Sequence, residues 1–493
     1  MKRFRRTTVS AALAMAAAAA VTRAQPAEER PFYLGAAPQP AAQAAPAKTP
    51  PPADPLDQIK KPVDWLTWGA DARFRQEYLH NPFLLDTDPP GHTWNDLRNR
   101  FRVWANVAPA KELDFYTRLT WEPRYWWAPN SKQNDNGDSD GQQWTWNDGD
   151  FDNLYFRIKP QDVPMTFTVG RQDIILGDGW LVLDGTPLDG SETIYMDLAA
   201  RLTIDFKEIK TTGDFIVLQN WSDPDEWLPS IQSESRHRTE QDELGVILWF
   251  TNKSLDRTEI NPYFMYKHND AVLANGDDGD IYTVGARIKH EFDKNWSAQG
   301  EGAYQWGNRS NAAMFPEGGD VSAGGFIGQI AYSFNDELKN RLKVVYEFLS
   351  GDDPDSRQVE QFDRLWARWP MWSELYIYTY AVETRIAEVT NLHRVAFGWD
   401  CVPMRDMTFA LDYHLLFAAE NTRAGTPGFS SGGDFRGQLL TAVLKYKFNK
   451  HVAAHLWCEA FFPGDYYDDI SGTPLESRDD PELFLRWELY FTL

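Results

Sequence analysis

The feature that most constrains this chain is a period of two in its hydrophobic residues. At the carboxyl end, Leu483, Leu485, Trp487, Leu489, Phe491 and Leu493 alternate with a second set that is largely polar. Successive side chains of a β-strand point to opposite faces of the sheet, so one face of this segment is wholly apolar. A strand of this kind separates an apolar environment from a wet one.

The same alternation recurs towards the amino end of the chain. In residues 97–107 the apolar set opposes Arg98, Arg100 and Arg102, and in residues 66–78 Trp68, Phe74 and Tyr78 oppose charged residues. A helical interpretation fails, because arginines at every second position would spread around a helix. Aromatic residues make up 14% of the chain, which suits a barrel with aromatic girdles at both membrane interfaces.

The pattern predicts an all-β chain of about 18 strands, an even number, as bacterial single-chain barrels require. The connections between these strands alternate between short and long, as periplasmic turns and extracellular loops do. We therefore predict a single transmembrane, antiparallel, up-and-down β-barrel over residues 62–493. Its strands lie near 65–79, 97–108, 113–124, 151–159, 165–174, 198–208, 213–221, 242–251, 258–268, 280–291, 296–307, 322–333, 341–350, 391–401, 407–418, 435–448, 452–462 and 482–493.

One region does not follow the alternation of short and long connections. Residues 351–390 are too long for a simple loop, and they contain the apolar run 375–380. A long connection inside an ordered protein is either functional or wrongly assigned. The sequence leaves open an extra hairpin or an inward-folded lid.

The amino end has the composition of an export signal. Basic residues at positions 2–6 precede a short, alanine-rich apolar segment and a plausible cleavage site before Gln25, which predicts a signal peptide over residues 1–24. Residues 25–61 are rich in Pro and Ala and are interpreted as an extended periplasmic linker. Beyond the signal peptide no apolar stretch is long enough for a transmembrane helix.

The charged residues are unevenly placed, although the net charge is −23. Acids cluster in the predicted long connections, for example at 277–280, 352–355 and 465–469, and bases lie on the polar faces of strands. If these faces line a pore, rings of Arg and Lys would favour anions, and the planar fork of Arg suits carboxylates. The pore-lining or substrate-binding candidates are Arg73, Arg75, Arg98, Arg100, Arg102, Arg118, Arg157, Arg171, Arg287, Lys289, Arg394 and Arg486.

The candidate arginines have a second interpretation. They could pair across strands with Asp71, Glu77, Asp114, Glu301 and Glu347 and so stabilise the wall of the barrel. The row Arg98, Arg100 and Arg102 has no acid between its members, which favours transport there. For the other arginines the sequence leaves both roles open.

Other motifs are weak. Asn136, Asp138 and Asp140 resemble the start of a calcium loop, but the final Glu is missing and a solvated acidic loop is favoured. Cys401 and Cys458 could pair in an oxidising compartment, although isolated thiols are more often small buried hydrophobic residues. No motif indicates a cofactor, and the acidic balance disfavours nucleic acid.

One stretch resembles a known family. Residues 169–179, Val-Gly-Arg-Gln-Asp-Ile-Ile-Leu-Gly-Asp-Gly, are similar to the GRQ and LGDG hallmark of the alginate export family of outer-membrane channels. The residues around Arg98–Arg102, and those around His393 and His414, resemble other strands of that family. The resemblance implies an 18-stranded barrel, an electropositive pore and gating loops. It also implies that Arg171 is a pore-mouth arginine, which requires a bulge to turn its side chain inward.

From pattern and resemblance together we expect a monomeric, non-enzymatic channel in the bacterial outer membrane. It would pass an anionic, alginate-like polyuronate, in the direction of export, with lipid, lipopolysaccharide and periplasmic export proteins as its other partners. A porin for uptake of small anionic sugars remains an alternative. A secreted β-rich polysaccharide-binding protein or lyase is the alternative from another class.

Overall fold

A computed structural model describes residues 55–83, 85–87, 92–128, 143–146, 149–184, 196–223, 226–231, 237–367, 370–380, 383, 388–468 and 478–493. The predicted signal peptide and nearly all of the predicted linker lie outside these residues. At the end of that linker, Pro55–Lys60 forms a short helix, α1, instead of extended chain. Within the described parts of the chain, no helix has both the length and the apolar character needed to cross a membrane.

Eighteen antiparallel strands form one closed sheet. Each strand pairs with the strands before and after it, and β1 closes the barrel by pairing with β18. The predicted number of strands and the up-and-down order are confirmed. The strands are β1 Leu66–His80, β2 Thr93–Ala110, β3 Leu113–Trp121, β4 Gly149–Ile158, β5 Met165–Gln172, β6 Met196–Phe206, β7 Thr211–Asn220, β8 Gln241–Asn252, β9 Thr258–Ala271, β10 Asp277–Glu291, β11 Trp296–Asn311, β12 Phe315–Ser333, β13 Arg341–Leu349, β14 Leu392–Met404, β15 Met407–Phe417, β16 Phe435–Lys447, β17 Val452–Pro463 and β18 Glu482–Thr492.

The two faces of the sheet differ as the period of two predicts. On β18, Leu483, Leu485 and Trp487 are exposed on the outer face, while Arg486 and Glu488, which alternate with them, are buried on the inner face. Large apolar side chains are exposed in this way on strands around the whole barrel. Such an exterior is stable only in lipid, because a water-soluble protein rarely exposes so large an apolar surface.

The connections differ from the prediction in two places. Residues 269–279 and 308–321 were expected to be long extracellular loops, but they are largely strand, and only 272–276 and 312–314 connect β9 to β10 and β11 to β12. Asp277, Asp278 and Asp280 therefore belong to β10, and Asp277 is buried with an ion pair to Arg309. Low β-propensity of Asp and Gly made these extensions resemble loops.

Two connections fold into the barrel, and we call residues 173–184 and the described residues 359–367 and 370–380 the inward segments. The first contains the short strands Ile174–Ile175 and Leu183–Asp184, and the second contains helix α2, Tyr376–Tyr380. They meet through backbone hydrogen bonds between Leu183 and Trp366 and between Trp366 and Leu181, at 3.1 and 3.0 Å. Of the two structures left open for residues 351–390, the described residues form the inward-folded one.

The inward segments build an apolar core within the barrel. Their side chains pack with buried apolar residues that β7, β8 and β9 direct inward, such as Ile216, Ile247 and Met265. Leu79 on β1 and Phe484 on β18 also belong to this core, but most inward residues of β1–β3 nearer the periplasmic end are charged or aromatic. Two further short strands, Arg124–Ala128 and Trp144–Thr145, extend the sheet next to β2.

Candidate functional site on the inner face of the barrel

The centre of the candidate site is a set of opposed arginines on β1 and β2. The strand register places Arg73 directly opposite Arg100 and Arg75 directly opposite Arg98. All four side chains point inward and are buried. Like charges in direct opposition destabilise a sheet unless something compensates them, so this arrangement requires nearby anions.

Carboxylates from two strands, β1 and β18, and from the connection after β3 supply that compensation. Glu122, just after β3, pairs with Arg73 and bonds Arg98 at 2.8 Å between Nη2 and Oε2. Glu488 on β18 bonds Arg75 at 2.7 Å. Asp71 accepts the Nε–H of Arg102 at 2.9 Å, and Glu77 pairs with Arg486 at 2.6 Å. The arginines on this part of the inner face therefore belong to a network of ion pairs instead of forming a bare cationic wall.

The remaining candidates lie around the barrel and do not converge on one site. Most of them also have acidic partners: Arg118 with Asp152 and Asp173, Arg287 with Asp178 and Glu259, Arg394 with Glu347, and Arg171 with Asp197. Among the residues that the structure describes, Arg157 and Lys289 form no ion pair with a carboxylate, and both are half-buried. These two are the candidates whose charge the protein itself leaves available.

Arg171 occupies a special position at the extracellular end of β5. Gly170 before it has φ +126°, and a Cβ there would collide with the carbonyl oxygen of Leu154. The neighbouring β6 has a bulge between Met196 and Ala199, opposite Arg171. Arg171 itself is fully buried against the connection after β7, where it lies 5.4 Å from the ring centroid of Trp227.

The inward segment 173–184 is hydrogen-bonded to the wall at two levels, one near the periplasmic end of the barrel and one nearer the extracellular end. Asp178 accepts two hydrogen bonds from Arg287, at 2.9 and 3.0 Å, four residues from the periplasmic end of β10. Nearer the extracellular end, Trp180 donates to Glu347 at 3.0 Å. Burial raises the pKa of Asp173, even though its pair with Arg118 favours the charged form.

Several functional features were not found in the sequence. The compensating carboxylates Glu122 and Glu488 were missed, although Glu488 shares its face with Arg486 and could have been found by that parity. The calcium candidates Asn136, Asp138 and Asp140 lie outside the described residues. Cys401 and Cys458 are free thiols on β14 and β17, so they do not pair with each other.

Comparison with known proteins shows to which family a chain with this geometry belongs. A family model described as alginate export matches residues 64–478, most of the chain. The chain belongs to the alginate export family. The match covers the opposed arginines, the GRQ and LGDG stretch and both inward segments. A search of curated proteins found no match.

Solved structures support the fold of this alginate export family member. It is similar to Pseudomonas aeruginosa OpdQ and OccK9 (OpdG), at 10% and 11% identity and a TM-score of 0.52 for each, covering 86% of this chain and 97% and 98% of theirs. Acinetobacter baumannii OccAB2 is similar at 9% identity and a TM-score of 0.51, covering 86% of this chain and 98% of its own. Family and barrel together identify an outer-membrane channel.

Proposed function

We propose that this channel exports an anionic polysaccharide, an alginate-like polyuronate, from the periplasm without covalent chemistry. The observation that carries the proposal is the direct opposition of Arg73 to Arg100 and of Arg75 to Arg98 on the inner face. Four guanidinium groups in two adjacent rows match a substrate that presents a carboxylate on every sugar. The family description, alginate export, supports the same class of substrate.

The ion pairs of the wall suggest how the polymer would move. At rest Glu122 pairs with Arg73 and Arg98, and Glu488 pairs with Arg75, so these three buried guanidinium groups each have an anion. A uronate carboxylate can replace a wall carboxylate at one arginine while the neighbouring arginines keep theirs. Binding is then distributed over several sites of similar strength, which permits both entry and departure.

The ends of the chain and its partners complete the proposal. Residues 1–24 would be removed as a signal peptide, and residues 25–61 would extend into the periplasm, where they could reach export proteins. The barrel would function as a monomer surrounded by lipid and lipopolysaccharide. Since the protein is an outer-membrane barrel, a secreted binding protein or lyase is no longer an alternative.

Single-channel conductance in planar bilayers tests the proposed substrate. We expect mannuronate oligomers to block the wild-type current. The double variant Arg73→Gln, Arg100→Gln should raise the blocking concentration about tenfold, because charge-assisted hydrogen bonds contribute roughly 1.5–3 kcal/mol each. Glu122 keeps Arg98 as its partner in this variant, so no buried carboxylate loses its only cation.

The matched control is Arg405→Gln, which removes a positive charge from the turn between β14 and β15, where the side chain is 95% exposed. The concentration of mannuronate oligomer that blocks this variant should equal the concentration that blocks the wild type. A current that uronates do not block, or block equally in the double variant, would contradict the proposed substrate and leave the barrel intact.

A further inference from the structure

A row of aromatic side chains crosses the inner face between the opposed arginines and the periplasmic end. Trp104 on β2 has the same parity as Arg98, Arg100 and Arg102 and therefore points inward. Tyr116 on β3 lies next to it, with ring centroids 6.2 Å apart and planes 22° apart. Tyr155 on β4 follows at 5.1 Å and 21°. Three near-parallel rings thus form a continuous strip around the wall.

Gly69 on β1 leaves room for the indole at one end of the strip. It lies opposite Trp104 in the strand register, and a Cβ at Gly69 would meet three indole atoms at 2.6, 2.7 and 3.0 Å. The indole of Trp104 therefore covers the β1 backbone at Gly69, in space that a larger side chain would occupy. The near-parallel ring of Tyr116 continues this aromatic surface along the wall.

The strip is accessible, in contrast to the apolar side chains of the core. Trp104, Tyr116 and Tyr155 are half-buried, whereas the apolar side chains beneath the inward segments are fully buried. The three rings also do not belong to the apolar core that those segments build. A polysaccharide that entered from the periplasmic end along the side formed by β1–β4 would pass the rings before it reached the opposed arginines.

A cation lies at one end of the strip. The guanidinium carbon of Arg157 is 4.9 Å from the ring centroid of Tyr155, and its Nη2 donates to the Tyr155 hydroxyl at 2.9 Å. The adjacent base, Lys159, is already paired with Asp114. Among the described residues Arg157 has no carboxylate partner, so its charge is available to a ligand.

We infer that Trp104, Tyr116, Tyr155 and Arg157 form a saccharide subsite near the periplasmic entrance, in which the rings stack against sugars and Arg157 binds a carboxylate. Flat aromatic faces suit the apolar C–H face of a pyranose ring, since the contact removes apolar surface from water and the ring face is electron-rich. The inference rests on the proposed function and assigns to the same polymer a first site that recognises sugar rings as well as charge.

The test compares block by a mannuronate oligomer with block by a mannose oligomer of the same length, added from the periplasmic side. Tyr116→Leu, which keeps apolar volume but removes the flat face, should weaken block by both oligomers roughly fivefold. Arg157→Gln should weaken block by the mannuronate oligomer alone. Phe156→Leu is the matched control, because this side chain is on β4 but faces outward and is 52% exposed. This control variant should leave block by both oligomers unchanged.

Folding of each variant is checked by the heat-dependent shift of the barrel in gel electrophoresis. If Tyr116→Leu and Trp104→Leu fold but leave block by both oligomers unchanged, while Arg73→Gln, Arg100→Gln weakens block by uronate, the subsite is refuted and the proposed function stands. If uronate does not block the wild type at all, both are refuted.

Discussion

The buried pair of Arg102 and Asp71 allows a measurement of how much the stability of the barrel depends on the ion pairs of its inner face. Both side chains are under 10% exposed, and Nε of Arg102 lies 2.9 Å from each carboxylate oxygen. Removal of one partner leaves a buried charge without compensation, so Arg102→Met or Asp71→Leu should each cost about 3–5 kcal/mol of unfolding free energy. The double variant should recover most of that loss.

Urea unfolding of the lipid-embedded barrel checks this prediction, with the two single variants and the double variant forming a thermodynamic cycle. If the double variant is as unstable as the sum of the single ones, the pair is not coupled as the geometry indicates. The same cycle would show whether the wall tolerates an apolar patch at this depth.

Residue parity predicted which face each charged side chain would occupy, but not its partner. Arg75 and Glu488 are 413 positions apart in the chain, and only the closure of β1 on β18 brings them together. The register that places Arg73 opposite Arg100 is likewise a property of strand pairing, which composition does not contain. The inward aromatic row was missed because aromatic excess was attributed to the membrane interfaces.

At the scale of an element, the inward segment 173–184 depends on a turn that carries the LGDG residues. The backbone N–H of Gly179 donates to Leu176 at 2.9 Å, which aims Asp178 at Arg287. Asp178→Asn removes the charge that holds the turn deep in the barrel. Because Asp178 is 42% exposed, we assign its pair with Arg287 about 1 kcal/mol. We expect the population of channels in which this segment has moved away from the wall and left the pore wider to increase roughly fivefold.

Single-channel recordings of Asp178→Asn should therefore show higher mean conductance or longer open periods than the wild type. Asp355→Asn removes the same charge from the exposed connection after β13 and should have no such effect. An unchanged conductance for Asp178→Asn would indicate that the hydrogen bond of Trp180 to Glu347 and the apolar core hold the segment without it.

The strands themselves were largely predictable, because a strand that separates lipid from a polar interior must alternate apolar and polar residues along its length. All eighteen strands appear at the predicted places. The errors lie where this constraint ends. Beyond the membrane, β10–β12 continue through Asp- and Gly-rich residues, held by pairing with neighbouring strands and not by their own propensity.

At the scale of the whole molecule, charge is distributed unequally between the two ends. The described extracellular connections carry exposed or half-buried acids at positions 352, 353, 355, 465, 468, 479 and 480. The periplasmic turns have bases and acids in near balance: Lys111, Lys159, Lys207, Lys210, Lys253, Arg257, Lys294, Lys339, Arg405 and Lys450, against Glu112, Asp162, Glu208, Asp256, Asp293, Asp336, Glu337 and Asp406. An anionic polymer would therefore be repelled at the extracellular end but not at the periplasmic one.

This asymmetry predicts that a uronate oligomer blocks the current faster from the periplasmic side than from the extracellular side. At low salt the rate of block should differ by about tenfold, because surface potentials change the rate of charged encounters by at least that factor. In 1 M salt, where screening acts within about 3 Å, the two rates should converge. A mannose oligomer of the same length should show no salt-dependent difference. Equal rates for uronate at low salt would contradict an electrostatic preference for export and would instead favour free passage in both directions.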